Sequence, residues 1–291
     1  MSKLLKALEK ARDKKDQEPS VREKKQFPDK LATAYEKAAR VQDDAGAVGL
    51  VYAQKGLRDS RIKPGYTRTQ VLKPNERLLE SNLVMTHLKD PLIKDYYDIL
   101  RTQVLQRTKI NGWNSLMVTS AYPGEGKTLT SINLALAIAR HFQQTALLVG
   151  ANFRTPKICT YFGLEENRTG LSDYLANGDR LQDILFNPGL DKMVILPTGQ
   201  KIASTDILGS PKMKDLVQEL KTRYPERYVI YDCPHVLDMP DTLVFSSYVD
   251  AVLMVVQAGK TPRQGIQDAV RTLEEQGVNV IGMVLNKAGH S

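Results

Sequence analysis

Eight residues in the middle of the chain combine glycines with a lysine and a threonine at a spacing suited to holding phosphate. Residues 121–128 read Ala-Tyr-Pro-Gly-Glu-Gly-Lys-Thr. Glycines allow the backbone to curl until several N–H groups face one anion, and a helix that begins there adds positive dipole potential. We predict that Gly124, Glu125 and Gly126 surround the phosphates of a nucleotide. Lys127 then reaches the terminal phosphates, and the Thr128 hydroxyl binds Mg²⁺.

One position departs from the usual phosphate-binding loop, because Ala121 stands where the first glycine is typical. A glycine-rich turn that binds nothing is therefore the alternative interpretation. The sequence context favours binding, since an apolar run at 115–119 precedes the loop and a helical pattern follows it.

An acidic residue further along the chain matches this loop. Asp232 follows the apolar run 228–231, and an aspartate at the carboxyl end of a parallel strand lies at the ligand-binding edge of the sheet. There it can bind Mg²⁺ through a water molecule, whereas capping of the next turn is the alternative role. We predict Lys127 and Asp232 as catalytic residues, and Thr128 and Asp232 as metal ligands.

Short apolar runs alternate with helical patterns from residue 91 onwards, which is typical of a doubly wound, mainly parallel α/β sheet. The sequence predicts strands over 115–119, 145–149, 193–196, 228–231, 251–256 and 278–285. It predicts helices over 91–107, 128–142, 211–224 and 263–276.

The N-terminal part of the chain has a different composition. Residues 1–80 carry 19 Lys/Arg and 12 Asp/Glu, whereas residues 81–291 carry 22 and 21. This split argues against specific nucleic-acid binding by the whole protein. We predict a basic, partly disordered segment and linker over 1–85, with a short amphipathic helix over 3–12, and a nucleotide-binding domain over 86–291. The helix contacts protein or, as the alternative, a lipid surface.

The chain has no apolar window long enough for a transmembrane helix or a signal peptide. Its 2 cysteines lack the spacing of a metal site and are predicted to be buried thiols. We therefore expect a cytoplasmic protein, and contact with the inner face of the plasma membrane stays an open alternative.

Several blocks of sequence resemble the bacterial tyrosine kinase (BY-kinase) family of capsule and exopolysaccharide loci. The resemblance rests on 123–128, Arg154 with Pro156, the Gly-Leu-Ser-Asp-Tyr-Leu run at 170–175, residues 228–234, Asp241, and the Val-Leu-Asn-Lys run at 284–287. It implies a P-loop fold of the ParA/MinD type and ATP with Mg²⁺ as the ligand. It also implies nucleotide contacts by Arg154 and Asn286, an inner-membrane polysaccharide co-polymerase or chain-length protein as partner, and homo-oligomers.

Two acidic residues of the family pattern are absent. The family carries Asp-x-Asp after the second strand, where this chain has Gly150 and Asn152. Asn152 offers a carbonyl oxygen but cannot take a proton, and a positioned general base contributes about 10²–10⁴-fold in rate. We therefore expect ATP binding with weak or absent kinase or ATPase activity. Aspartates restored at both positions should face Mg²⁺, unless another group fills the space beside Gly150.

Two further departures concern assembly and phosphorylation. The family's Glu-x-x-Arg-x-x-Arg, used in subunit contacts, appears as Asp95, Asp98 and Arg101, and no tyrosine follows Tyr248. His235 stands where the family often has proline. It is predicted to be a loop residue, with a role as a substitute base as the less favoured alternative.

Three functions fit these observations. The first is a degenerate BY-kinase-like enzyme that regulates exopolysaccharide polymerisation or export. The second is a non-catalytic nucleotide-binding regulatory subunit of an export machine. The third is a ParA/MinD-like positioning ATPase, and Tyr122 argues against it because that group usually has an additional lysine at this position.

Overall fold

The computed structural model describes residues 69–72, 75–84, 91–141, 144–165, 168–190, 192–202, 207–224 and 226–288. All of them lie in the unit formed by residues 60–291. The predicted amphipathic helix at 3–12 lies outside the described residues, as does the predicted N-terminal segment up to residue 68.

Within these ranges, eight strands form one sheet in the order β1-β4-β5-β3-β6-β2-β7-β8. All neighbouring strands run parallel except β4 and β5, which pair antiparallel. This arrangement confirms the predicted fold class. The strands are β1 (Gln70–Val71), β2 (Ser115–Ser120), β3 (Thr145–Gly150), β4 (Phe186–Asn187), β5 (Met193–Leu196), β6 (Arg227–Asp232), β7 (Ala251–Gln257) and β8 (Val280–Asn286).

Helices cover both faces of the sheet, which explains why the central strands are continuous apolar runs. Every residue of β2 and β3 is buried. The helices are α1 (Glu76–Ser81), α2 (Pro91–Lys109), α3 (Lys127–Ala139), α4 (Ile158–Tyr161), α5 (Leu171–Asn177), α6 (Leu181–Ile184), α7 (Pro211–Thr222), α8 (Pro240–Ser246) and α9 (Arg263–Glu275).

The central strands bring the phosphate-binding loop, Gly150 and Asp232 to one edge of the sheet. Strand β6 lies between β2 and β3, and Asp232 is the register partner of Val118 on one side and Gly150 on the other. Because all three strands are parallel, the loops that leave their carboxyl ends meet at this edge.

Residues before position 86 also belong to the packed structure. Strand β1 pairs with β4, and Leu79 and Val84 are fully buried in the core that includes α3. The side-chain amide of Asn133 donates to the Leu83 carbonyl at 3.0 Å. These contacts favour a division earlier in the chain than the predicted boundary at 85/86, and that boundary stays a prediction.

Candidate nucleotide-binding site

The loop between β2 and α3 has the backbone conformation that its glycines permit. Gly124 and Gly126 have φ values of 79° and 100°, a region that residues with a Cβ rarely adopt. A Cβ on Gly126 would also collide with the amide nitrogen of Asn286. Helix α3 begins at Lys127, so its first N–H groups face the loop. The result is a concave backbone at a helix N-terminus, which suits an anion.

Glu125 stabilises this loop from within. Its Oε2 accepts a hydrogen bond from the Tyr122 N–H at 3.0 Å, and its Oε1 accepts one from the Thr261 hydroxyl. The side chain is 3% exposed and is absent from the walls of the adjoining cavity. Glu125, predicted as a nucleotide contact, therefore holds the loop in shape through its side chain.

The end of strand β8 is bonded to the same loop. The Asn286 side-chain amide donates to the Glu125 carbonyl at 2.9 Å, and Lys287 Nζ donates to the Gly124 carbonyl at 2.7 Å. Asn286, at the end of β8, and Lys287, which follows it, thus fix the two peptide groups between Gly124 and Gly126.

Lys127, Thr128 and Asp232 form a buried polar group at the start of α3. The Thr128 hydroxyl donates to Asp232 Oδ2 at 2.8 Å, while Asp232 Oδ1 is buried without a hydrogen-bond partner among the described residues. Burial raises the pKa of Asp232 to about 6, although Lys127 and the Thr128 hydrogen bond act to lower it. Burial lowers the pKa of Lys127, and Asp232 and Glu125 oppose that change.

A cavity of about 1070 Å³ opens beside this group. Six of the residues predicted to bind nucleotide or metal line this cavity, and so does Asn152, which replaces the second family aspartate. The other two predicted residues, Glu125 and Asp232, do not line it. Those that line it are Gly124, Gly126, Lys127, Thr128, Asn152, Arg154 and Asn286.

The chain is similar to curated tyrosine kinases over most of their length. It is 30% identical over 196 residues to tyrosine-protein kinase CpsD of Streptococcus pneumoniae serotype 4, covering 67% of this chain and 84% of the relative. It is 28% identical over 199 residues to CpsD of Streptococcus agalactiae, covering 68% and 85%. The chain belongs to the bacterial tyrosine kinase family. No protein-family model matches the chain.

Solved structures agree with this assignment. The kinase domain of Escherichia coli tyrosine kinase ETK superposes with a TM-score of 0.61 at 28% identity, over 68% of this chain and 78% of that one. The septum site-determining protein MinD from Pyrococcus horikoshii, solved with Mg-ADP, superposes with a TM-score of 0.52 at 21% identity, over 61% and 72%. The second similarity shows the shared fold, so the chain is a BY-kinase-like member of the wider MinD-type fold.

The position of the first missing aspartate is filled by another residue. A Cβ placed on Gly150 would collide with the Thr198 hydroxyl and lie 2.8 Å from the Thr198 backbone nitrogen. Thr198 is itself 3% exposed and follows β5, the strand that neighbours β3. The alternative foreseen from the sequence, that another group occupies this space, is therefore confirmed.

Asn152, at the position of the second missing aspartate, holds a turn. Its Oδ1 accepts from the Thr155 N–H at 3.2 Å, and its Nδ2 donates to the Thr155 hydroxyl at 3.0 Å. The side chain also lines the cavity. An aspartate would keep the acceptor, and the Thr155 hydroxyl could turn to donate to it.

Arg154 and Asp241, two residues of the family resemblance, lie together. Their charged groups are 3.8 Å apart, with Arg154 38% exposed and Asp241 7% exposed. Arg154 also lines the cavity. Asp241, on α8, is thus placed to orient the arginine side chain beside the nucleotide-binding loop.

Two other positions of family interest are engaged within this chain. Tyr122 packs so closely on α9 that a Cβ on Gly265 would collide with its ring. Arg101 donates to Asp98 at 2.9 Å and to the Ala137 carbonyl of α3 at 3.3 Å. Tyr122, which stands where positioning ATPases have an additional lysine, therefore packs against α9 of this chain. Arg101 bonds to its own helix, α2, and to the neighbouring helix α3.

Several residues at the cavity carry no recognisable sequence signal. The residues Thr155, Lys157, Tyr97 and Tyr161 line it, and no motif in the sequence predicts them as site residues. Tyr161 is close enough to Asp232 for that carboxylate to act with burial in raising its pKa. Lys287 was recognisable as the neighbour of Asn286, but its contact with the loop could not be read from the sequence.

Proposed function

We propose that the protein binds ATP with Mg²⁺ and regulates exopolysaccharide polymerisation or export, with weak or absent kinase and ATPase activity. The observation that carries this proposal is the Thr128–Asp232 pair at the foot of the phosphate-binding loop. One oxygen of Asp232 accepts from Thr128, and the other has no partner within the described structure.

The residues present fit the expected ligands. The backbone of Gly124 and Gly126 would hold the phosphates, Lys127 would neutralise the terminal ones, and Arg154 and Asn286 border the same cavity. Thr128 and Asp232 offer the hard oxygen atoms that Mg²⁺ prefers, and Mg²⁺ when bound would neutralise charge on the phosphate oxygens.

Weak turnover follows from the missing acids. Gly150 carries no side chain, and the Asn152 amide cannot take a proton. The chain therefore lacks the carboxylates that would activate an attacking hydroxyl at these two positions, a contribution of about 10²–10⁴-fold in rate.

The proposed partner and location follow from the relatives. CpsD is a tyrosine-protein kinase by name. Because the sequence blocks of this chain resemble the kinases of capsule and exopolysaccharide loci, we propose an inner-membrane co-polymerase or chain-length protein as partner. No helix within the described ranges combines the length and apolar composition needed to cross a bilayer. A cytoplasmic location, with peripheral contact at the inner membrane face, and homo-oligomer formation belong to the same proposal.

A non-catalytic regulatory subunit is the second candidate. The observation that favours it is Thr198, which fills the space beside Gly150 and so closes the position to a catalytic acid. A positioning ATPase is less well supported, because Tyr122 packs on α9 where that group has its additional lysine.

One assay separates these candidates. Purified full-length protein is incubated with ATP and Mg²⁺, with and without candidate membrane partners, and both ADP release and phosphoprotein are measured. Slow ADP release or phosphorylation supports the degenerate enzyme, and ATP binding without either product supports the regulatory subunit. Turnover at an ordinary enzyme rate, about 1 s⁻¹ or more, would contradict the proposal of weak activity.

A further inference from the structure

No acidic side chain is found among the described residues that line the cavity beside the phosphate-binding loop. Among the described residues that line it, the ionisable ones are tyrosines, lysines, one arginine and one histidine. Lysine and arginine are ordinarily charged near neutral pH, and tyrosine ordinarily holds its proton. Lys127, whose pKa is lowered by burial, is already assigned to the phosphates. His235 is therefore the one lining side chain, within the described part of the chain, whose basic form is common near neutral pH.

The backbone around His235 is fixed against the strand that leads into the loop. The Pro234 carbonyl accepts from the Thr119 hydroxyl at 2.6 Å, and the Val236 N–H donates to the Ser120 carbonyl at 2.8 Å. Residue 235 is thus held between two contacts to the end of β2. The Thr242 hydroxyl, from α8, donates to the His235 carbonyl at 3.1 Å. Each of these three hydrogen bonds involves a backbone atom of residues 234–236, and none of them involves the imidazole ring.

Four charged side chains act electrostatically on the imidazole. Lys127 lies at the start of α3, Glu125 in the loop, Arg154 after β3, and Asp238 in the same segment as His235. Helix α8 brings Asp241 against Arg154. Burial and then Lys127 lower the pKa of His235 from its ordinary value of 6.5, Asp238 and Glu125 oppose this, and Arg154 adds to it. The lowered pKa favours the neutral ring, which is the form that accepts a proton.

We propose that His235 is the proton acceptor for the slow turnover of ATP, in place of the two missing aspartates. This inference rests on the proposed function. The O–H bond of the attacking water or tyrosine breaks, and its proton passes to an imidazole nitrogen. The oxygen forms a bond to the γ-phosphorus, and the bond from that phosphorus to the β–γ bridging oxygen breaks, so that ADP leaves. The imidazolium then returns its proton to water in the open cavity.

A matched pair of substitutions tests this role in the full-length chain. His235→Gln keeps a polar side chain but cannot accept the proton. His141→Gln is the control, because that histidine follows the far end of α3 and its pKa is also lowered, by burial and then by Lys109, Arg101 and Lys192. Thermal unfolding checks both variants, and His235→Asn replaces the glutamine variant if the latter unfolds early.

Three measurements are made on each protein. Calorimetry gives ATP affinity with Mg²⁺, ADP release gives the rate from pH 5 to 8.5, and NMR of labelled histidine gives the imidazole pKa without nucleotide. We expect His235→Gln to bind ATP as the parent does and to release ADP about 100-fold more slowly. The parent rate should fall as the pH drops through the His235 pKa, which lies below 6.5. This fall should be smaller in the variant, in which Asp232, with a pKa of about 6, still titrates.

The outcomes separate the inference from the proposed function. A parent that fails to bind ATP contradicts the proposed function and the inference together. If ATP binds but His235→Gln releases ADP at the parental rate, or with the parental pH profile, then the inference alone is wrong. A parent that binds ATP and releases no ADP above a protein-free control also overturns the inference, while leaving the regulatory function intact.

Discussion

Thr198 occupies the space that a side chain at Gly150 would need, so any residue larger than glycine at position 150 would collide with it. Gly150 is in turn the register partner of Asp232, the buried acid of the site. The glycine at the position of the first family aspartate is thus closely approached by Thr198 from the loop after β5. Restoring the acid therefore has a structural consequence as well as a chemical one.

The first prediction compares the two missing acids. Gly150→Asp should lower stability by about 1–3 kcal/mol or more, because its Cβ would meet both the hydroxyl and the backbone nitrogen of Thr198. Asn152→Asp should melt as the parent does and raise Mg²⁺-dependent ADP release by about tenfold or more. Thermal unfolding and ADP release measured on both variants check this. A Gly150→Asp variant that melts at the parental temperature would contradict this, because it would show that the loop carrying Thr198 rearranges at little cost in stability.

The second prediction concerns the buried glutamate of the loop. Glu125→Ala should weaken ATP binding by about tenfold, because the Tyr122 N–H and the Thr261 hydroxyl lose their shared acceptor and the loop loses its shape. Glu125→Gln keeps one acceptor oxygen and should recover most of the affinity. Calorimetry with ATP and Mg²⁺ measures this, with exposed Glu275→Ala as the control. Equal ATP affinity for Glu125→Ala and the parent would show that the Glu125 side chain is not needed to hold the loop in shape.

The third prediction concerns a carboxylate at the opposite end of the sheet. Asp250 Oδ2 accepts from the Asn114 and Ser115 backbone N–H groups at 3.1 Å each, and Oδ1 accepts from Lys221 Nζ at 2.5 Å. Asp250→Asn should lower the free energy of unfolding by about 1–3 kcal/mol at pH 7. Exposed Asp215→Asn is the control, and denaturant titration is the measurement.

The effect of Asp250 should depend on pH in one direction. Burial acts to raise the pKa of Asp250, but the bonds from Lys221 and Ser115 outweigh it and the net shift is downward from 3.8. The folded state therefore binds this proton less readily than the unfolded state. The stabilisation is fully present above about pH 3.8 and is lost as the pH falls through the lower folded pKa. A parent and Asp250→Asn that keep a constant stability difference below that pH would contradict the assignment.

The fourth prediction places the domain boundary. A chain of residues 69–291 should fold and bind ATP, whereas residues 86–291 should melt earlier, because removal of α1 exposes the surface that covers Leu79 and Val84. Burial of two such side chains is worth about 3–6 kcal/mol. Melting temperatures and ATP affinity of the two truncations decide this. If residues 86–291 melt no earlier than residues 69–291, the boundary predicted from the sequence is the better one.

Most of the sheet could be predicted from the sequence because its central strands are buried on both faces. The strand predicted over 145–149 is observed at Thr145–Gly150, and the helix predicted over 211–224 is observed at Pro211–Thr222, with Ser210 capping it. Strands β1 and β4 have only two residues each, too few for a periodic signal. Helix α8 follows Met239 and begins at a proline, and its seven residues were likewise too few to predict.

The site divides in the same way. The chemistry of Lys127, Thr128 and Asp232 could be inferred because a local motif and a strand end place them. The contact between Thr198 and Gly150, and the turn of Glu125 towards Thr261, join residues far apart in the chain. Only packing of the whole fold sets such contacts, so sequence patterns do not reveal them.

The most direct test of the central claim is calorimetric titration of the full-length protein with ATP and Mg²⁺. Lys127→Ala removes the buried ammonium group, and Asp232→Asn removes the buried carboxylate, while Lys214→Ala changes an exposed lysine on α7 as a control. We predict that the parent and Lys214→Ala bind ATP equally. Lys127→Ala should bind about 10- to 100-fold more weakly, and Asp232→Asn should lose the dependence on Mg²⁺. Equal ATP affinity for the parent and Lys127→Ala would contradict nucleotide binding at this loop.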